Sequence, residues 1–129
     1  MTDLAHIDDL VEHQDRGARL TVIHPVTGER MTDIVLTVAG PDSATARNAR
    51  IKYSDELMAF RNRPSADELE RIEIERLARL VIGWDVKRDG KPVEFSFTNV
   101  VRLLKSAHFI REQVEAFSQD RAAYFMRTL

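Results

Sequence analysis

His6, Asp9 and His13 fall at positions i, i+3 and i+7 of a helical repeat, so nitrogen and oxygen donors could share one face and hold a divalent metal. No tight H-E-x-x-H pairing accompanies them. A solvated acidic helix end has the same composition, so the expectation is no metal and no cofactor. A cryptic enzymatic or regulatory site around these three residues stands as the alternative from a different class. His108 precedes Phe109 just after an expected helix break, where capping or packing is the usual role, and no nucleophile or second base lies near it in sequence. Cysteine is absent, which removes thiolate nucleophiles, disulfides and cysteine-held zinc together. Five glycines are scattered without forming a phosphate loop or a nucleophile elbow. The chain therefore reads as a non-enzyme.

Charge offers a second kind of chemistry. Residues 43–63 hold Arg47, Arg50, Lys52, Arg61 and Arg63 against Asp55 and Glu56, with Tyr53 and Phe60 between them. A nucleic-acid face is conceivable there, but Tyr53 and Phe60 lie on the apolar stripe and should turn to the core. Across 129 residues, 19 Lys and Arg face 21 Asp and Glu, so no net field attracts a polyanion or an anionic bilayer. No nucleic acid and no membrane are expected as partners. Apolar runs are too short for a span or a leader core, which makes a cytosolic protein the expectation.

These residues must be positioned by elements that the pattern outlines as an α+β fold: a mainly helical single domain with two β-hairpins over residues 19–129, preceded by an acidic N-terminal arm, residues 1–18. Within residues 1–16, Asp3, Asp8, Asp9, Glu12 and Asp15 oppose Arg16 alone. Leu4, Ile7, Leu10 and Val11 keep helical spacing there, but a helix this short is marginal in water and should order on a surface. Arg19–His24 and Met31–Ala39 alternate apolar with polar residues around Pro25-Val26-Thr27-Gly28-Glu29-Arg30, which predicts a hairpin. Asp42 or Ser43 should cap a helix reaching about Phe60, with Ala46, Ala49, Tyr53, Leu57 and Phe60 in its stripe. Ser65-Ala66-Asp67-Glu68 is a capping box opening a helix over 65–82 that Gly83 ends. Leu69, Ile72, Leu77, Leu80 and Val81 supply its apolar face, while Asp67–Arg71 and Glu75–Arg79 should pair on its wet side.

Asp89-Gly90 favours a two-residue type I′ turn. Counting outward sets Val86 opposite Val93 and Trp84 opposite Phe95, all four on one structural face packed against helix 65–82 and the final helix. Ser96 or Thr98 then caps a helix with Val100, Val101, Leu103 and Leu104, followed by a break near Ser106–His108. A last helix from about Phe109 to Arg127 carries Phe109, Ile110, Val114, Phe117, Tyr124 and Phe125 on more than one side, more than one core face requires. Those six residues, with Arg47 and Arg50, are the expected partner-binding set.

Several of these features occur in a characteristic order. His24-Pro25-Val26-Thr27-Gly28-Glu29, the exit through Gly40-Pro41-Asp42-Ser43 into a helix, and Gly83-Trp84-Asp85 followed by Asp89-Gly90-Lys91-Pro92-Val93-Glu94-Phe95-Ser96 resemble the small tail assembly chaperones of long-tailed bacteriophages and prophages. The short helix with Leu103-Leu104 and the hydrophobic last helix are similar too, so the likeness spans about residues 20–120. The resemblance implies an assembly factor with no catalytic residues. It would bind the tape measure protein, keep it soluble, recruit the tail tube protein and act in the host bacterial cytoplasm. A virion component of neck, tail or capsid is the alternative. Self-association is a further expectation, with Leu4, Ile7, Leu10 and Val11 docking in an apolar groove of the same chain or a neighbouring copy and Arg47, Arg50 and Arg61 steering the approach.

Overall fold

Four helices of the computed structural model, which describes residues 3–124, start at a side-chain cap that the sequence places beside a break in its hydrophobic pattern. The first helix, α1 (Leu4–Arg16), starts where the Asp3 carboxylate accepts a hydrogen bond from the His6 amide at 3.2 Å. It stops at Gly17, whose φ of +80° is open to glycine and strained for other residues. The chain then enters β1 (Ala18–Ile23) and returns as β2 (Arg30–Val38), antiparallel, with Leu20 opposite Leu36. His24 organises the connecting loop, because its Nδ1 accepts from the amides of Val26 and Thr27 at 3.1 and 3.2 Å.

Ser43 caps α2 (Ala44–Met58) by accepting from the Ala46 amide, and Ser65 with Glu68 closes the expected capping box at the start of α3 (Ala66–Leu80). The boundary after α3 differs from expectation. Val81 is already extended (φ −83°, ψ 113°), and β3 (Val81–Arg88) begins there, with Gly83 inside the strand opposite Thr37. β2 would otherwise leave one edge unpaired, and Val81 opposite Val38 and Gly83 opposite Thr37 satisfy it, with the register shifting at Ile82 between them; the ladder outweighs a further half-turn of helix. The two hairpins thereby fuse into one antiparallel sheet, ordered β1-β2-β3-β4.

Asp89 and Gly90 both take positive φ, 53° and 78°, as a type I′ turn requires, and set Arg88 opposite Lys91. The last strand, β4, is only Lys91–Pro92, because proline has no amide to extend the ladder; the Val93 amide adds one more bond, 2.8 Å to the Val86 carbonyl. Ser96 caps α4 (Phe97–Ser106), and Ala107 alone separates it from α5 (His108–Gln119).

The final helix also ends earlier than expected. After Gln119 the backbone turns at Asp120 and continues as a 3₁₀ turn, Arg121–Tyr124. The change of direction carries the Tyr124 hydroxyl to the Ala39 carbonyl at 3.0 Å and the Arg121 guanidinium to Asp42 at 2.7 and 2.9 Å. Phe125 and the expected continuation to Arg127 lie outside the described residues. Burial pushes the Tyr124 hydroxyl pKa up, reinforced by nearby Asp120, so this phenol stays a donor across the physiological range.

Leu20, Val22, Ile34, Leu36, Val38, Trp84 and Val86 alternate onto the sheet face that meets the helices, where Ile74, Leu77 and Leu80 of α3, Val100 and Leu104 of α4, and Ile110 and Val114 of α5 complete the core. α2 contributes only the small Ala46 and Ala49. It binds α3 through ions instead. Glu56 reaches Arg71 and Arg79, both at 3.5 Å, and Glu75 reaches the same pair at 2.8 and 3.6 Å. The Glu75–Arg79 pair therefore lies between two helices rather than on the wet side, and Arg71 takes Glu75 and Glu56 instead of Asp67.

Candidate functional site

Beside the second hairpin the sheet leaves a groove that the core does not fill. Trp84 and Val86 of β3, Val93 after β4, Ile34 of β2 and Leu103 of α4 line an open cavity of about 400 Å³. Its geometry follows from local rules. The type I′ turn fixes the register that puts Val86 beside Val93, and the indole N–H then donates to the Val93 carbonyl at 2.9 Å. Phe95 meets the indole edge-on, ring centres 5.8 Å apart. α4 closes the other wall: its Asn99 amide is held by Ser96, and the Asn99 side chain donates to the Glu94 carbonyl at 2.9 Å. Every charged residue lining the groove, namely Lys87, Arg88 and Arg102, is basic. None of the three has an ion pair among the described residues.

The placement expected for the hairpin holds in part: Val86 joins the core shared with α3 and α5 and Trp84 and Val93 pack against that core, but the face is not fully covered, and a groove remains along it whose far wall is α4. Val86 is buried, Trp84 and Val93 are half-buried, and Phe95 is exposed. The two-residue β4 is the reason: the chain departs after Pro92 to begin α4 close by, so no longer strand covers the indole.

The expected partner-binding set is mostly spent inside the domain. Ile110, Val114 and Tyr124 are buried, and Phe109 and Phe117 are half-buried against the same core, with Phe117 edge-on to Tyr124 at 5.6 Å. α5 meets α3, α4 and the sheet, so its several apolar sides are used by its own chain. Arg47 is exposed on α2, while Arg50 donates to the Pro41 carbonyl at 3.0 Å.

The N-terminal segment is helical and attached by polar contacts. Gln14, buried, accepts at its side-chain oxygen from the Asp42 amide at 2.6 Å and donates back to the Asp42 carboxylate at 3.0 Å. Its backbone carbonyl takes the Gly40 amide at 3.0 Å. A Cβ on Gly40 would lie 2.5 Å from the Gln14 side chain, so this close approach needs glycine. Asp15 accepts from the Ala44 amide at 2.8 Å, at the N-terminal end of α2 where a carboxylate is favoured. Asp42 joins these contacts to the Arg121 pair, and that hydrogen-bonded guanidinium draws its pKa from 3.8 down to about 2 against the opposing effect of burial. Leu10 and Val11 are half-buried, Ile7 is 49% exposed and Leu4 is 78% exposed. The expected apolar docking with Arg47, Arg50 and Arg61 as guides is thus replaced, within the chain, by a polar joint at Gln14 and Asp15.

His6, Asp9 and His13 all lie on α1, with the His13 ring Nδ1 2.8 Å from the Asp9 carbonyl. Among the described residues no group of three His, Asp or Glu side chains is placed to hold a metal ion. His108 opens α5 on the surface, 3.9 Å from Glu112. Among the described residues no helix is long and apolar enough to cross a membrane.

Sequence reasoning missed the groove as a site. The hairpin face does join the core at Val86, but the groove left along it takes Ile34 through the β2–β3 pairing and Leu103 and Arg102 through the direction of α4, while Lys87 and Arg88 lie on β3 itself. No family model, no curated protein and no solved structure matches the chain.

Proposed function

We propose that this protein is a non-enzymatic tail assembly chaperone of a long-tailed bacteriophage or prophage. It binds helical segments of the tape measure protein and brings tail tube subunits to them in the host bacterial cytoplasm. The observation that carries the reading is the open, Trp84-floored groove between the second hairpin and α4, apolar along its base and basic at its rim. Such a groove suits an amphipathic helix laid in by its apolar face, with acidic flanks meeting Lys87, Arg88 and Arg102. The resemblance to the tail chaperones in the order of hairpin, capped helix, Trp-bearing second hairpin and Leu103-Leu104 helix is the second support.

The test is co-purification with the long helical product of a neighbouring gene. The reading expects a soluble complex that Leu103→Glu abolishes while the melting transition stays cooperative. Absence of any complex, or recovery of the protein in purified particles, overturns it, and the latter result favours the virion component instead.

A further inference from the structure

We infer that the groove beside the β3–β4 hairpin receives the N-terminal half of α1 from a second copy of this chain, giving a reciprocal dimer. Two surfaces without a partner among the described residues match. On α1, Leu4 and Ile7 continue the stripe of the half-buried Leu10 and Val11 beyond the Gln14 joint, so this end of the helix overhangs with its apolar side exposed. A helix this short is marginal in water on its own, and an exposed apolar stripe makes a covering surface favourable. The groove supplies Ile34, Trp84, Val86, Val93 and Leu103 for that stripe.

Charge selects the pairing. The overhanging half of α1 carries Asp3, Asp8 and Asp9, and Lys87, Arg88 and Arg102 line the groove with no acidic residue among them. Opposite signs at the rim steer the approach and reject like-charged helices. The occupant is another copy because α1 does not fill its own groove: Leu4 is 78% exposed, and Gln14 and Asp15 fix the helix at the Gly40–Ala44 corner. That corner follows Val38 at the end of β2, whereas the groove is lined by Ile34 in the middle of that strand and by Val86, Lys87 and Arg88 at the hairpin end of β3. Two copies can exchange helices about a two-fold axis, a contact that closes on itself instead of growing into a filament.

In the free protein the second copy's α1 holds the groove, and a tape measure helix would have to displace it; the dimer itself rests on the groove and not on the phage reading, and sedimentation of the full chain alone tests it. The wild type should be a dimer. Leu4→Glu with Ile7→Glu should raise the dimer dissociation constant about tenfold or more, as should Lys87→Glu with Arg102→Glu. All four positions are at the surface or only partly covered, so these variants should keep the wild-type melting transition. Adding Asp8→Lys and Asp9→Lys to the Lys87→Glu, Arg102→Glu variant should restore dimerisation, a recovery that only a folded chain with this contact can give. A wild type that stays monomeric at its highest soluble concentration overturns the inference, as does a dimer indifferent to both pairs of changes. A monomer that still binds the tape measure helix would sink the dimer and spare the function, whereas a helix-exchanged dimer that ignores it would do the reverse.

Discussion

The flank formed by α2, α3 and α5 and the groove beside α4 use arginine in opposite ways. On the flank, Arg71 and Arg79 are shared between Glu56 and Glu75, Arg76 bridges Glu73 and Glu115, and Arg111 reaches Glu70 at 3.5 Å. Aromatic rings take part as well: Arg76 lies 5.8 Å from the centre of Tyr53, and Arg79 lies 5.3 Å from that of Phe97. In the groove, Lys87, Arg88 and Arg102 stand beside apolar side chains without a carboxylate among the described residues. The difference separates charge that holds helices together from charge left facing outward. Small Ala46 and Ala49 let α2 approach its neighbours, so the flank needs its ions; the groove has enough apolar surface to stand without them.

The comparison can be broken first at the groove floor. Trp84→Ala should lower stability by about 2–3 kcal/mol, less than for a fully buried ring because the indole is half-buried, and should empty the wall on which Phe95 leans. Chemical denaturation measures it. A loss within error would mean that the groove floor is not part of the folding unit.

A matched pair of arginine deletions sharpens the contrast. Arg79→Ala leaves Glu56 and Glu75, both largely covered, without one of their partners and should cost about 1–2 kcal/mol. Arg102→Ala removes an exposed charge whose nearest polar contact is Asn99 at 3.4 Å and should stay within about 0.5 kcal/mol. Equal costs in the same denaturation assay would erase the distinction between the two regions.

The smallest effect lies at the exposed end of the paired class, Asp42 with Arg121. Asp42 has a folded pKa of about 2 against an ordinary 3.8, so the unfolded chain takes up its proton first as the solution is acidified. Its stabilisation is complete above about pH 4 and is lost as pH falls through 2. Screening at this partly exposed site holds the contribution to about 1 kcal/mol. Melting temperatures across that interval should fall less steeply for Asp42→Asn than for the wild type; parallel curves would remove the pair from the account.

Much of this arrangement is local and was legible in the residues. The Ser65–Glu68 box and the Ser43 and Ser96 caps form from side chains within three residues of the amides they satisfy. Asp89-Gly90 takes the two positive φ values that fix its register. The errors share the opposite property. Val81 reads as helical because the free edge of β2 is invisible to a window of neighbours, and a helix continuing past Gln119 leaves out Ala39, the distant acceptor that draws Tyr124 away. Gln14, a polar residue on a short stripe, gave no signal that it would be the buried anchor of α1.

By itself, then, the sequence determined the α+β class, the capped helix starts, both hairpins and the acidic first helix, because backbone sterics, capping and side-chain period act over a few residues. Tertiary structure decided which surfaces are left over. The pairing of β2 with β3 joins residues far apart in the chain, and the direction of α4 after a two-residue strand opens the groove at Trp84. The packing of α5 on α3, α4 and the sheet buries Ile110 and Val114, side chains that the many-sided apolar pattern of the last helix marks for a partner. Burial is set by every element that arrives at a site, and no local pattern carries that information.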